Sequence, residues 1–273
     1  MRRGKLGQHF LVDRKVLERV VEAGELSRQD LVLEVGVGEG ALTELLAQKA
    51  GWVVGLEVDP CLLTRAEQRL QGFANITLQK QDALEVDFGA LLSPFPGTTR
   101  KCIANLPYGI SKPFFLRLLE STQEVGWERF VVMVQYEFGE KLLSLPPQGK
   151  GNPLSVGVAR IFSVERLLVI PPAAFRPRPK VYSLLLRGRR IPKVPEDFPE
   201  FLRFILWIFR FRRKTLKRLL PATVVPEKMG EKRAEDLTLE EWEKVWERVR
   251  VVLGKEQGYN GMGTGYAKEH LGW

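Results

Sequence analysis

An amide, a backbone carbonyl and an aromatic ring stand together in the segment Asn105-Leu106-Pro107-Tyr108. The apolar run at 102–104 predicts the end of a buried strand, and Pro107 with Gly109 predicts a rigid turn after it. An Asn side chain and a neighbouring carbonyl can accept both hydrogens of an exocyclic NH2 group, while a Tyr ring can stack on its base. Two such acceptors favour a pyramidal adenine N6 with its lone pair aimed at an electrophile. The alternative is a plain strand-ending turn capped by Asn105.

A second candidate site follows the apolar run Leu31-Val32-Leu33-Glu34-Val35, which predicts a buried parallel strand. Gly36-Val37-Gly38-Glu39-Gly40 comes next and a helix opens behind it, and this order is typical of nucleotide binding. The following strand ends at Glu57, 17 residues beyond Gly40. That interval is close to the ~20 residues expected for a carboxylate that binds ribose hydroxyls.

The glycine spacing G-x-G-x-G differs from the G-x-G-x-x-G that suits a pyrophosphate, so an NAD oxidoreductase is disfavoured. Glu34 would repel a pyrophosphate but would attract the ammonium group of an aminoacyl ligand. S-adenosylmethionine has a ribose and no phosphate, and therefore fits this pattern. The alternative is a glycine-rich turn without a ligand, since short glycine motifs give false positives.

Three successive predicted strands end in polar side chains. Asp82 follows the strand at 76–79 and could accept a hydrogen bond from an adenine amino group, although a turn-forming Asp is the alternative. Glu57, Asp82 and Asn105 thus form an ordered array at one edge of a sheet. We predict an α/β, Rossmann-like sheet, with further strands at 130–135, 156–162 and 181–186, a helix at 137–144 and a loop at 89–99.

The composition is that of an ordinary globular protein, with 273 residues, 44% hydrophobic and 27% charged. The absence of a long apolar run or signal-peptide core predicts a cytoplasmic protein with no membrane association. Two Cys and two His argue against a disulfide framework or a metal site. The net charge of +9 indicates a polyanionic partner, and nucleic acid is favoured over an acidic membrane. The alternative is a basic charge that serves no specific binding.

Cations cluster at three places. The N-terminus carries Arg2, Arg3 and Lys5, and the proline-rich stretch at 171–180 places Phe175 among Arg176, Arg178 and Lys180. This mixture is typical of single-stranded nucleic acid binding, unless Phe175 packs inward. A helix predicted at 200–220 carries six cations within nine residues: Arg210, Arg212, Arg213, Lys214, Lys217 and Arg218. They form either a solvated face or a set of phosphate contacts.

Thr238-Leu239-Glu240-Glu241 predicts a capping box that opens another helix, with a core stripe of Trp242, Val245, Trp246 and Val249. Asp13 predicts the N-cap of the first helix.

With these residues in place, the chain resembles the ribosomal small-subunit RNA adenine dimethyltransferase family. Two of its segments look most similar to archaeal members: Gln135-Tyr136-Glu137-Phe138 and Lys180-Val181-Tyr182-Ser183. The similarity extends from Gly7 to Arg187, and resumes at 212–215 and 233–235. It rests on ordered motifs: Gly7-Gln8-His9-Phe10-Leu11, Glu34-Val35-Gly36-Val37-Gly38, Glu57-Val58-Asp59, Gln81-Asp82-Ala83, Asn105-Leu106-Pro107-Tyr108 and Pro171-Pro172-Ala173-Ala174-Phe175-Arg176-Pro177.

The resemblance implies a role for each motif. His9 and Leu11 would lie near the methionine end of S-adenosylmethionine, and Gly36 and Gly38 would let the cofactor approach the backbone. Glu57 with Val58 would hold the ribose, and Asp82 with Ala83 the adenine. Asn105 and the Leu106 carbonyl would orient the target amine, and Tyr108 and Phe175 would enclose a flipped adenine. His9 departs from the Asn common at its position, and Gly151-Asn152-Pro153-Leu154-Ser155 also departs from the family pattern.

The implied activity is transfer of two methyl groups to N6 of adenosines near the 3′ end of small-subunit rRNA, with a role in subunit biogenesis. Small-subunit rRNA, or a pre-30S-type subunit, would be the partner of a monomeric enzyme. We predict a methyltransferase domain at 1–187, a linker at 188–199, a helical RNA-binding domain at 200–253 and a flexible tail at 254–273. The alternatives are an assembly factor that mainly binds RNA, and a large-subunit rRNA methyltransferase.

Overall fold

The fold is that of a computed structural model in which residues 9–95 and 99–257 are described, without the side chains of 253–257. Arg2, Arg3, Lys5 and most of the predicted tail therefore lie outside the described residues. The chain divides into two compact units. The first contains the described residues up to Glu140 with Ile161–Lys193, and the second contains Lys141–Arg160 with the described residues from Val194. No helix among the described residues is long and apolar enough to cross a membrane.

The first unit contains all nine described strands. Helices α1 to α6 also lie in this unit, and α7 (Tyr136–Leu143) includes residues of both units. The elements of the unit are β1 (Phe10–Leu11), α1 (Arg14–Gly24), β2 (Asp30–Val35), α2 (Ala41–Ala47), β3 (Trp52–Glu57), α3 (Pro60–Arg69), β4 (Ile76–Lys80), α4 (Phe88–Leu92), β5 (Thr99–Asn105), α5 (Ser111–Glu120), α6 (Thr122–Val125), β6 (Arg129–Gln135), β7 (Phe162–Ile170), β8 (Phe175–Arg176) and β9 (Ser183–Arg190).

Seven of these strands form one sheet in the order β4-β3-β2-β5-β6-β9-β7. The five strands from β4 to β6 are parallel, and β9 pairs antiparallel with both β6 and β7. The strand order reverses between β2 and β5, which lie side by side, and open α/β sheets bind ligands at such a reversal. The predicted α/β fold is confirmed, and Gly36 and Asn105 follow the two strands that flank this crevice.

Burial explains why the central strands are apolar on both faces. Every residue of β2 is buried, and Leu31, Val32 and Leu33 have no exposed surface.

Helix α1 begins at the predicted cap, where Asp13 Oδ1 accepts hydrogen bonds from Lys15 N and Val16 N at 2.9 and 3.2 Å.

Buried charges lie at the ends of the strands that are farther from the crevice. Lys101 Nζ lies 3.0 Å from Asp30 Oδ2, and both side chains are nearly inaccessible to solvent. Arg129 binds Glu25 at 2.9 Å and donates to the carbonyl of Gly24 at 3.0 Å. These cations satisfy the last carbonyls of α1. The carbonyls and carboxylates in turn stabilise the cations, because a buried charge is tolerated only when it is paired and hydrogen-bonded.

The second unit is helical, with α9 (Phe198–Phe209), α10 (Leu239–Gln257) and all of α8 (Pro153–Ile161) except Ile161, which belongs to the first unit. The predicted capping box is confirmed, since Thr238 Oγ1 accepts from Glu241 N at 3.2 Å and Glu241 Oε2 accepts from Thr238 N at 3.0 Å. The predicted core stripe of α10 is also confirmed, and four of its side chains are buried: Trp242, Val245, Trp246 and Val249.

Three predicted elements were wrong. Residues 156–161 of the predicted strand lie in helix α8, and only Phe162 is in a strand, as the first residue of β7. Asn152 Oδ1 accepts from Leu154 N and Ser155 N at 3.1 Å and so caps a helix whose first residue is Pro153. The helix predicted at 200–220 ends at Phe209, so none of the six cations lies on it. The four at 210–214 lie in turns and a bend, whereas Lys217 and Arg218 lie in a 3-10 helix at Leu216–Arg218. The predicted loop at 89–99 includes most of α4, which Asp87 caps through Ala90 N.

Candidate functional site

The crevice between β2 and β5 is made by glycines in conformations that side chains disfavour. Gly36 and Gly38 have φ values of +77° and +59°. A Cβ atom on Gly38 would lie 3.1 Å from the Phe10 ring, and one on Gly36 would lie 3.7 Å from the carbonyl oxygen of Asn105. The positive φ values explain why residues without a Cβ stand at both positions, and the approach of a cofactor to this backbone stays a prediction.

Glu57 is buried at the end of β3 and is held by backbone donors. Its Oε2 accepts from Gly38 N at 2.9 Å, and its Oε1 accepts from Val58 N at 2.9 Å and Asp59 N at 3.0 Å. These three bonds fix the carboxylate in the crevice wall, and its two oxygens can accept further donors. A pair of ribose hydroxyls would supply such donors.

A depression next to Glu57 brings together the residues predicted to hold an adenine. Val58, Asp82 and Ala83 line it with Pro107 and Ile110. Asp82 also has the turn-forming role of the alternative interpretation, because its Oδ1 accepts from Leu84 N at 2.9 Å. The carboxylate is exposed and has further acceptor capacity, so the two roles are compatible.

Asn105 is the last residue of β5 and Leu106 follows it, and a donor group of each is hydrogen-bonded. Asn105 Nδ2 donates to the carbonyl of His9 at 2.9 Å, and Leu106 N donates to the carbonyl of Met133 at 3.1 Å. The Asn105 side chain is thereby oriented through its NH2 group, and its Oδ1 is an acceptor for a donor that enters the crevice.

Tyr108 lies in a single 3-10 turn that follows Pro107. Its hydroxyl is 2.7 Å from Ser183 Oγ, and its ring centroid is 5.5 Å from that of His9 with a tilt of 40°. Burial raises the pKa of the Tyr108 phenol, and the hydrogen bond with Ser183 opposes the shift. Ser183 is a site residue that sequence reasoning missed, since only its place in a motif beside Tyr182 pointed to it.

Glu34 is buried beneath the glycine turn, and among the described residues its Oε2 has no hydrogen-bond partner. Burial raises the pKa of this carboxyl to about 8. The Thr43 hydroxyl opposes the shift, and the nearby negative charge of Glu57 adds to it. A cavity of about 310 Å³ is lined by Glu34 together with Leu11, Gly38 and Asn105. A buried carboxyl with one unpartnered oxygen beside a cavity suits a ligand that brings a positive charge.

Phe175 packs inward, which is the alternative interpretation of the proline-rich stretch. Its ring is 1% exposed and packs in the hydrophobic core, in the same cluster as Leu11 and Leu185. The cause is a pairing that sequence reasoning missed: β1 and β8 form a two-stranded sheet in which Leu11 lies opposite Phe175, and His9 Nδ1 lies 2.7 Å from the carbonyl of Pro177. A stacking role for Phe175 stays a prediction, and it requires the ring to be uncovered.

The predicted RNA-binding cations are exposed wherever they are described. Arg176, Arg178 and Lys180 are exposed in the first unit. In the second unit Arg212, Arg213, Lys214 and Lys217 are exposed, with Lys217 bound to Glu231 and Lys214 5.3 Å from the Phe211 ring. Thr215 forms a β-bridge with Arg233, so two motifs separated in the sequence meet in this unit.

Two solved structures are similar to this chain. A dimethyladenosine transferase from Plasmodium falciparum has a TM-score of 0.74 at 24% identity, over 89% of this chain and 98% of that chain, and so shares the fold. The 23S rRNA methyltransferase ErmE has a TM-score of 0.66 at 26% identity, over 88% of this chain and 99% of that chain.

Curated relatives are more similar in sequence. The "Ribosomal RNA small subunit methyltransferase A" of Thermotoga maritima is 36% identical over 258 residues, which are 93% of this chain and 87% of that protein. The "Probable ribosomal RNA small subunit methyltransferase A" of Methanosarcina mazei is 35% identical over 254 residues, 87% of this chain and 89% of that protein. The family model described as "Ribosomal RNA adenine dimethylase" matches residues 1–244. The chain belongs to the ribosomal RNA adenine dimethylase family.

Proposed function

We propose that this protein is an S-adenosylmethionine-dependent methyltransferase that dimethylates N6 of adenosines near the 3′ end of small-subunit rRNA. The proposal rests on membership of the family and on the names of its relatives. The structural observation that supports it most directly is the Asn105-Leu106-Pro107-Tyr108 turn. It follows β5 at the reversal of strand order, beside the glycine turn and Glu57.

The residues around the crevice fit the proposed cofactor. Glu57 would bind the ribose hydroxyls, Asp82 and Ala83 would face the adenine, and Glu34 would pair with the ammonium group of the methionine end. The unpartnered Oε2 of Glu34 supports this last assignment, since a buried acceptor without a donor is costly. When bound, S-adenosylmethionine would supply an electrophilic methyl group on its cationic sulfur.

The chain's own contribution is positioning. Asn105 Oδ1 and the Leu106 carbonyl would accept the two hydrogens of the target NH2 group, and Tyr108 would stack on the adenine. Fixed acceptors and a fixed ring reduce the entropy that the reaction must otherwise lose. The amine becomes cationic on attack and loses its proton afterwards, so a strong base is not needed beforehand. A covalent intermediate is not part of the proposal.

The division of labour along the chain is also proposed. Residues 1–187 would carry out the transfer, and 200–253 would bind RNA after the linker at 188–199. The exposed cations Arg212, Arg213 and Lys214 support the second assignment, because each phosphate contact releases counterions. Replacing Arg212 with Ala should lower the salt dependence of binding to the small subunit, whereas Lys49→Ala, at an exposed position just before β3, should not.

The test of the function is methyl transfer from labelled S-adenosylmethionine to unmethylated small ribosomal subunits, followed by mass spectrometry of the digested RNA. Dimethyladenosine in the small-subunit RNA is the expected product, absent with Asn105→Ala. Large-subunit RNA is assayed in parallel, because ErmE is similar to this chain. Methylation of large-subunit RNA alone would replace the proposal, and salt-sensitive binding without transfer would favour an assembly factor.

A further inference from the structure

Ser183 is buried next to the proposed acceptor turn. It is 1% exposed, and its hydroxyl lies 2.7 Å from the Tyr108 hydroxyl although the two residues are 75 positions apart. Ser183 begins β9, where it lies opposite Gln135 of β6 and Ile170 of β7. A residue held between two strands in this way is a rigid anchor for whatever its side chain binds.

Tyr108 needs such an anchor. It lies in a short 3-10 turn in which Ile110 N donates to the carbonyl of Pro107, so its own backbone bonds fix little beyond one turn. A Tyr ring has two side-chain torsions, and a hydrogen bond at the hydroxyl restrains both because it holds the far end of the ring. The tilted contact with His9 restrains the ring from a second direction.

We propose that Ser183 is a positioning residue, whose hydroxyl holds the Tyr108 ring in the plane on which the target adenine stacks. The inference rests on the proposed stacking role of Tyr108 and adds to it the group that sets the orientation of the ring. Ser183 touches neither substrate nor cofactor and acts through Tyr108. The Ser hydroxyl suits this role because it can donate or accept, and so matches a phenol that does either.

Removal of the Ser183 hydroxyl is therefore expected to affect the transfer step and not cofactor binding. Ser183→Ala should lower kcat for methyl transfer by about tenfold, because small misplacements of a reacting group are costly. The Kd for S-adenosylmethionine should stay within about twofold of wild type. Ser183→Thr, which keeps the hydroxyl, should recover most of the lost rate.

A double-mutant cycle with Tyr108→Phe separates positioning from a general structural effect. Tyr108→Phe removes the partner hydroxyl and keeps the ring, so Ser183→Ala should cause no further loss in that background. Losses that multiply in the double variant would overturn the proposal. Thr122→Val is the matched control, since Thr122 is a buried hydroxyl that donates to the Leu118 carbonyl at 2.8 Å outside the site. It should alter stability and leave kcat unchanged.

A measurement without RNA distinguishes failure of this inference from failure of the proposed function. The protein is labelled with 3-fluorotyrosine, and the Tyr108 resonance is assigned by its loss in Tyr108→Phe. Ser183→Ala should shift or broaden this ¹⁹F resonance, and Thr122→Val should not. An unchanged resonance would overturn the positioning role whether or not the enzyme methylates rRNA, whereas a shifted resonance in an inactive protein would contradict only the function.

Discussion

Asn105 Nδ2 donates a hydrogen bond to the carbonyl of His9 at 2.9 Å. This contact joins the acceptor turn after β5 to the segment before β1, 96 positions away. It occupies the donor side of the amide and orients the acceptor side. The chemistry proposed for Asn105 needs an acceptor, so the bond to His9 prepares the residue for its role.

Replacing Asn105 with Ala should lower the rate of methyl transfer by about 10²- to 10³-fold, the usual effect of removing one fixed polar group from a reacting centre. The affinity for S-adenosylmethionine should change far less, because Glu57 and Asp82 are retained. Single-turnover transfer and equilibrium dialysis measure the two quantities. Asn75→Ala is the control, since Asn75 uses its amide only to bind carbonyls after α2. Equal losses of rate and affinity in Asn105→Ala would contradict the role.

Glu34 should make the free protein less stable as the pH rises. Its folded pKa is about 8 against an ordinary 4.5, so between these values the folded protein keeps a proton that the unfolded chain has lost. The free energy of unfolding therefore falls with rising pH in this window, by at most about 1.4 kcal/mol per pH unit, and levels off above it. Thermal unfolding from pH 5 to 8.5 should show a flatter profile for Glu34→Gln than for the exposed control Glu18→Gln.

Binding of S-adenosylmethionine should release a proton near pH 7. The ammonium group would favour the ionised form of Glu34, which is protonated in the free protein at this pH. Titration calorimetry in two buffers of different ionisation enthalpy measures the number of protons released. Glu34→Gln should bind more weakly and release fewer protons. Binding without proton release by the wild type would rule out the pairing of Glu34 with the ammonium group.

Lys101→Met should destabilise the protein by about 3–5 kcal/mol, because it leaves the Asp30 carboxylate buried without its cation. Urea unfolding measures the loss. Adding Asp30→Asn should recover part of the lost stability by removing the unpaired buried carboxylate. Arg14→Met breaks the exposed pair with Glu18 and should cost less than about 1 kcal/mol. Similar losses for Lys101→Met and Arg14→Met would show that burial of the first pair does not matter.

Asn152→Ala should destabilise the second unit by about 1 kcal/mol, since Asn152 caps α8 through Leu154 N and Ser155 N. Asn152→Asp keeps the capping acceptor but loses the hydrogen bond that Asn152 Nδ2 donates to the Lys141 carbonyl at 2.6 Å, so it should recover only part of the loss. The measurement is a comparison of urea midpoints for the two variants. Indistinguishable midpoints would mean that the cap contributes nothing to the stability of this helix.

Much of the site follows from local sequence. The glycine turn at 36–40 was predicted from its place between a strand and a helix, and the structure has positive φ at Gly36 and Gly38, which only a residue without a Cβ adopts freely. Glu57, Asp82 and Asn105 were predicted together because the ends of parallel strands meet at one sheet edge, and the strand order brings them there. The cap at Asp13 and the capping box at Thr238 also depend only on chain neighbours.

The errors arose where the local sequence suits two structures, or where a distant residue decides between them. The apolar run at 156–162 suits a strand or a buried helix equally well, and the decisive signal was the Asn152-Pro153 pair before it. Phe175 stands among cations in the sequence, but its side-chain direction depends on pairing with Leu11, which is 164 positions away.

The sequence by itself therefore determined the fold class, the family and the identity of the groups that line the crevice. Turns, caps and strand ends depend on a few neighbouring residues, and their spacing is visible in one dimension. Only the tertiary structure decided that Asn105 is bound to His9, that Tyr108 is bound to Ser183 and that Phe175 faces the core. Each of these depends on which distant strands lie side by side, and pairing between distant strands is decided by the packing of the whole sheet.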